Sequence, residues 1–164
     1  MIVDYNTIEQ TSEYYESQAD LKELLELTQL LVDEQKPLIS FLINQSEPLE
    51  NKDIAELILL IGNILFASVK TIREDLPMVT DDHLNKAENH FYNQMNLIAE
   101  MSEIDAISGF DEVFRHQPYL SNYVIEWVDQ LSDEGVQDAT LNVFYSVLQT
   151  IVNALDIALH TKTQ

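Results

Sequence analysis

Apolar residues recur along this chain at steps of three and four, the spacing of a helix with one buried face. Leu21, Leu24, Leu25, Leu31 and Val32 follow Asp20 in that pattern, and Asp20 with Glu23 forms a capping-box pair, so a helix is expected from about 20 to 35. Thr7 and Gln10 repeat the cap signal more faintly and predict a short helix in the first segment. Pro37 has no backbone N–H to donate. It therefore either kinks the helix or opens another, which carries Leu38, Ile39, Leu42 and Ile43. The stretch SEPLENKD then reads as a loop.

Residues 53 to 73 form the next predicted helix, with Asp53 as cap and Leu76-Pro77 as stop. Thr80, Asp81 and Asp82 place a cap and two acids where a helix dipole is positive, ahead of an inner face of Leu84, Ala87, Phe91, Met95 and Ile98. Ser108-Gly109 predicts a break, followed by a short helical turn around Asp111 to Arg115. Pro118 opens a helix carrying Leu120, Tyr123, Val124, Trp127 and Leu131. The turn SDEG leads into a final helix at about 137 to 160. The expectation is an all-α, single-domain bundle of five to seven helices spanning residues 1–164.

Two of these helices are poor in charge. Between Glu56 and Lys70, and again between Asp138 and Asp156, no Asp, Glu, Lys or Arg occurs. Such helices (53–73 and 137–160) are expected to meet at the centre of the bundle. Gly62 costs about 1 kcal/mol of helix propensity relative to Ala. A close crossing would offset that cost, and Gly62 with Ser146 is the pair small enough to permit one. Each stretch falls short of the roughly 20 apolar residues needed to span a bilayer. The first contains Asn63, and Asn142, Ser146, Gln149 and Asn153 draw a polar stripe down the second, so no membrane span is expected. That uncharged stripe, with Leu59 and Phe66 of the first helix, is the candidate interface for a partner or a homodimer.

The chain also echoes itself. QKPLISFLI at 35 to 43 resembles HQPYLSNYV at 116 to 124, with Pro37 over Pro118 and Ser40 over Ser121, and each precedes an acidic loop and a charge-poor helix. Two readings fit this echo, an internal repeat of 35–73 in 116–157 and a chance match between two amphipathic helical hairpins. Shifting the long helices by 84 residues sets Ala55 on Ala139, Leu57 on Leu141 and Gly62 on Ser146.

Composition narrows the function classes. Hydrophobic residues are 46% of the chain, enough to support a core, while 3 Gly and 4 Pro are too few for the turns of a many-stranded β fold. The net charge of -21 is spread along the chain, and 8 Lys and Arg cannot form a basic patch, which argues against direct nucleic-acid binding. With no Cys, disulfides, thiolate catalysis and cysteine metal sites are excluded. MIVDYNTIEQTSEYYES lacks the basic and apolar runs of a secretory signal, and a cytoplasmic protein is expected.

Candidate chemistry is sparse. No Glu-x-x-His pair of the di-iron type occurs, and His83 and His90 lie seven residues apart, about 10.5 Å along a helix, too far to share one ion. Glu112 and His116 suit a surface ion pair. There is no G-x-S-x-G elbow and no phosphate-cradling glycine loop, and the Arg and His spacing of helical ribonucleases is absent. Tyr14-Tyr15 and Tyr119, Tyr123 and Trp127 have the spacing of core aromatics or of a binding hot spot. No catalytic residue, metal ligand or cofactor is assigned. The expected function is that of a non-enzymatic acidic interaction protein, of inhibitor, immunity or adaptor type, that engages a basic protein partner. The alternatives are a metalloprotein built from His83, His90 or His116 with carboxylates, and a carrier of a small apolar ligand held between the central helices.

Overall fold

The computed structural model describes residues 1–163, apart from the side chains of residues 104, 107, 108, 110, 111 and 114. Among the described residues the regular structure is helical throughout. Helix α1 (Tyr5–Glu13) is capped by Asp4, whose carboxylate accepts from the Thr7 amide at 2.7 Å, so the cap lies three residues ahead of the expected Thr7. It runs directly into a π turn, Tyr14–Gln18. Helix α2 (Leu21–Glu34) starts as expected, with Asp20 accepting from the Glu23 amide at 2.8 Å. Its inner face is Leu27 and Leu31, whereas Leu21, Leu25 and Val32 are exposed. Those three follow helical spacing, but α2 lies on the rim of the bundle and only a narrow stripe of it finds neighbours.

Gln35 alone separates α2 from α3 (Lys36–Ser46), so Pro37 opens a new helix instead of kinking the old one. Helix α4 (Lys52–Ile72) is capped by Asn51, which accepts from the Ile54 amide, and Asp53 lies in its first turn. Thr80 caps α5 (Asp81–Glu100) in a reciprocal box with His83, whose Nδ1 accepts from the Thr80 amide. Helix α6 (Glu103–Phe114) overturns the expected break at Ser108-Gly109. Gly109 sits inside it because a Cβ there would come within 2.7 Å of Ile98 Cγ1, so the missing side chain lets α6 press against α5. Helices α7 (Pro118–Asp133) and α8 (Asp138–His160) complete the chain. Gly135, in the turn between them, has φ 88°, a conformation that favours glycine.

The charge-poor helices α4 and α8 pack together at the centre, with α1 and α3 against α4, and α5 and α7 against α8. By length and hydropathy both could cross a membrane, yet more than half of each apolar window is buried against the rest of the chain. Ile58, Ile61, Leu65 and Phe66 of α4 and Phe144, Leu148 and Ile151 of α8 are almost fully buried, each contributing about 1.5–3 kcal/mol relative to exposure.

Gln35 and Gln117 occupy equivalent places, both fully buried and both at the N-cap of a helix with Pro at its start. Gln35 Oε1 accepts from the Val79 amide at 2.7 Å and its Nε2 donates to the Pro77 carbonyl at 3.2 Å. Gln117 Oε1 accepts from the Val3 amide at 3.0 Å, and its Nε2 donates to the Met1 carbonyl at 2.9 Å and to Asp156 Oδ1 at 2.8 Å. Each glutamine thus pins the extended segment that leads into the first helix of the opposite half. These caps pair Gln35 with Gln117, one residue away from the Pro37 and Pro118 alignment. Aligning caps Asn51 and Gln137 likewise sets buried Ile58, Ile61, Leu65 and Val69 on buried Phe144, Val147, Ile151 and Leu155, a register two residues from the expected one.

Candidate functional site

The most built concave feature joins α1, the π turn and α7. On α1, Tyr5, Glu9 and Glu13 follow at steps of four, which places them on one helical face. The π turn then delivers Glu16 and Ser17 to the same edge. From α7, Tyr119, Asn122, Tyr123 and Glu126 form the opposite wall, and buried Ile8 forms part of the floor. They enclose about 500 Å³. Four carboxylates line this space and no Lys, Arg or His does.

Its polar groups are organised. The buried Ser12 hydroxyl donates to the Glu16 carboxylate and lies 3.2 Å from the Tyr123 hydroxyl. Tyr5 donates to Glu9 Oε1 at the 3.5 Å limit of a hydrogen bond. Burial, opposed by the contact with Ser12, pushes the Tyr123 phenol up to about 12. The negative charge of Glu9, followed by burial, raises Tyr5. Both rings therefore stay neutral at physiological pH. A cleft with acidic rims and neutral aromatic walls repels anions and suits a guanidinium or ammonium group, which can meet carboxylate oxygens and ring faces together.

The sequence-derived candidates lie elsewhere. Gly62 does not mark a crossing with Ser146, because a Cβ on Gly62 would meet Leu42 of α3, with Leu42 Cδ1 at 2.7 Å. Ser146 instead donates to the Val143 carbonyl and, with Asn142, lines a space of about 370 Å³ against Phe91 and Met95 of α5. The polar stripe is partly covered, with Asn142 exposed and Ser146 and Asn153 half-buried. Gln149 is fully buried, and its Nε2 donates to Ser121 of α7 and to Asn153, each at 3.1 Å. Phe66 is also fully buried, and half-buried Leu59 lines a groove between α2 and α4. Two of the six residues named for this interface, Gln149 and Phe66, thus lie in the core.

His83 is engaged as a cap, while His90, His116 and His160 are exposed. The chain bends after α6, so Glu112 meets Arg115 at 3.2 Å instead of His116. Among the described residues no three His, Asp or Glu side chains gather in metal-ligating geometry.

Sequence reasoning missed Tyr5, Glu9, Glu13, Glu16 and Glu126. Their signal was the i, i+4 spacing of Tyr5, Glu9 and Glu13 on α1 and of Asn122 with Glu126 on α7, hidden among the many acids of a chain whose excess charge is dispersed. Tyr119, whose spacing suited either a core aromatic or a binding hot spot, is exposed on the cleft wall. No family model matches the sequence, and neither a curated protein nor a solved structure matches it.

Proposed function

We propose that the protein is a non-enzymatic acidic interaction protein, of inhibitor, immunity or adaptor type, that works in the cytoplasm and seats a Lys or Arg side chain of a basic protein partner in the α1–α7 cleft. The observation that carries this reading is the cleft lining: Glu9, Glu13, Glu16 and Glu126 around Tyr5, Tyr119 and Tyr123, with no basic side chain to neutralise them. The whole-chain charge of -21 supplies long-range attraction, and the cleft supplies the place where it is focused. Encounter is then fast at low salt, and affinity falls as ionic strength rises.

The test is calorimetric titration with a hexa-arginine peptide at low and physiological salt. The variant Glu9→Gln, Glu13→Gln, Glu16→Gln, Glu126→Gln is compared with one neutralising exposed Glu47, Glu50, Glu100 and Asp133, which removes the same charge elsewhere. The cleft variant is expected to lose roughly tenfold or more in affinity, and the control only a small factor. Equal losses would mean that diffuse charge, not the cleft, binds the peptide.

A further inference from the structure

Independently of the acidic cleft, the outward face of α2 is an apolar surface that meets only solvent. At about 100° per residue, Leu21, Leu25, Thr28 and Val32 fall in a stripe about 60° wide along this helix. Leu21 is 72% and Leu25 60% exposed, the two most exposed large apolar side chains among the described residues, and Val32 is 39% exposed. Half-buried Leu24, Leu59 and Leu60 line the groove between α2 and α4 beside the stripe and widen the apolar surface. A continuous bare patch of this kind, on a chain whose net charge is -21, marks a place where another molecule docks.

The charges beside the stripe say what fits it. Lys22, Glu26, Gln29 and Asp33 run along one flank, and all four are exposed. Lys22 and Asp33 stand about 16.5 Å apart along the axis and within about 20° of one another around it. Lys22 is held only loosely by Glu26, at 3.9 Å with its side chain 83% exposed, so it is free to turn to another carboxylate. Two-fold symmetry requires that if residue i of one copy meets residue j of the other, j also meets i. When two copies of α2 lie antiparallel about a centre near Leu27, Leu21 meets Val32, Leu25 meets Thr28, Lys22 meets Asp33 and Glu26 meets Gln29. No like charges oppose one another in that register. A parallel pairing would set Lys22 on Lys22, Glu26 on Glu26 and Asp33 on Asp33, which repel. The apolar stripe and its charged flank are thus self-complementary about one and the same centre.

We propose that a second copy of this chain covers the α2 face, in an isologous dimer whose two α2 helices lie antiparallel, with Leu21 and Leu25 against Val32 and Thr28 and a Lys22–Asp33 pair at either end. This surface is separate from the polar stripe of α8. A helix of 14 residues, about 21 Å long, makes a small interface, so a reversible dimer with a Kd of about 10–100 µM is expected. At physiological salt the repulsion between two acidic chains is screened beyond about 8 Å, whereas the α2 contact is made at closer range.

The test is sedimentation equilibrium of the full chain at physiological salt, from about 5 µM to about 0.5 mM, a range that brackets the expected Kd. Mass should rise from monomer toward dimer across it. Leu25→Glu puts a charge in the middle of the stripe and should abolish the rise. Lys22→Glu and Asp33→Lys should each weaken self-association by roughly tenfold, because both ends of the interface then join like charges. Mixed in equal amounts, these two variants should recover the native affinity to within about threefold, since each end again joins opposite charges. All three positions are exposed, and circular dichroism checks that each variant keeps the native helix content. The proposal is overturned if the native chain stays monomeric to about 0.5 mM, which would leave the α2 face to a different protein. It is also overturned if the dimer survives Leu25→Glu unchanged, or if mixing the two charge variants gives no more association than either alone.

Discussion

Replacing Gln35 with Met tests whether the buried amide latch is a structural necessity. The substitution keeps side-chain length and removes both hydrogen-bonding atoms. Val79 is fully buried, so its amide, which donates to Gln35 Oε1 at 2.7 Å, has no water to turn to. Leaving it unpaired costs about 1–3 kcal/mol. The Pro77 carbonyl, held at 3.2 Å, belongs to a half-buried residue and recovers part of its loss from solvent. A total of roughly 2–4 kcal/mol is expected, which lowers the thermal midpoint by about 5–15 °C and the urea midpoint by about 1–2 M with an unchanged slope. Gln35→Glu should be worse: it still accepts from Val79 but turns a buried carboxylate toward the Pro77 oxygen. Gln117→Met should cost at least as much, because Gln117 also donates to Asp156. Equilibrium urea unfolding measures all three. A loss below about 0.5 kcal/mol for Gln35→Met, with the slope intact, would refute the reasoning, since no buried amide could then have been orphaned.

Three further outcomes follow from the packing and the titrating groups. Arg73, whose Nη1 donates to the carbonyls of Ala158, Leu159 and Thr161, ties the end of α4 to the end of α8; Arg73→Ala should cost about 2–3 kcal/mol and speed amide exchange over the last turn of α8, and Arg73→Lys should restore little because an ammonium lacks the planar fork. Gly62→Ala should be more favourable by about 1 kcal/mol or more in a Leu42→Ala background than in the native one, since the new methyl meets Leu42; additive stabilities in urea would remove that contact from the account. Tyr123 and Tyr145 are raised by burial from 10.0 to about 12, so the unfolded chain sheds their protons first and stability is full below pH 10 and falls as pH rises toward 12; urea midpoints at about pH 9.5 and about pH 11.5 should diverge less in the Tyr123→Phe, Tyr145→Phe double variant than in the native protein.

Periodicity and cap chemistry revealed most of the fold, because helix starts depend on a few local residues. Asp20, Thr80, Pro37 and Pro118 each stand at a helix start, and the two charge-poor segments form the centre. What was hidden depended on neighbours distant in sequence. Gly109 reads locally as a breaker, yet Ile98 gives it a reason to stay inside a helix. Gly62 reads as a crossing point of the central helices, but the residue that needs its space is Leu42, on a third helix. Leu21 and Leu25 carry the spacing of a buried face, and only the position of α2 on the rim shows that they meet solvent. The acidic cleft was least legible. Its glutamates are ordinary members of a crowded acidic surface until α1 and α7 bring them opposite one another.

The two glutamine latches also dictate an order of events during synthesis. Residues 1–3 find their partner only in Gln117, made more than a hundred residues after them, whereas residues 77–79 find theirs in Gln35, already made. At about 5–20 residues per second, residues 1–3 wait several seconds for that partner. The first four helices therefore complete their own entry only after the seventh has begun. Folding of this chain should be all-or-none across its length, with neither half persisting alone as a native unit. Such reciprocal bracing lets the segment ahead of α1 settle only once α7 is in place.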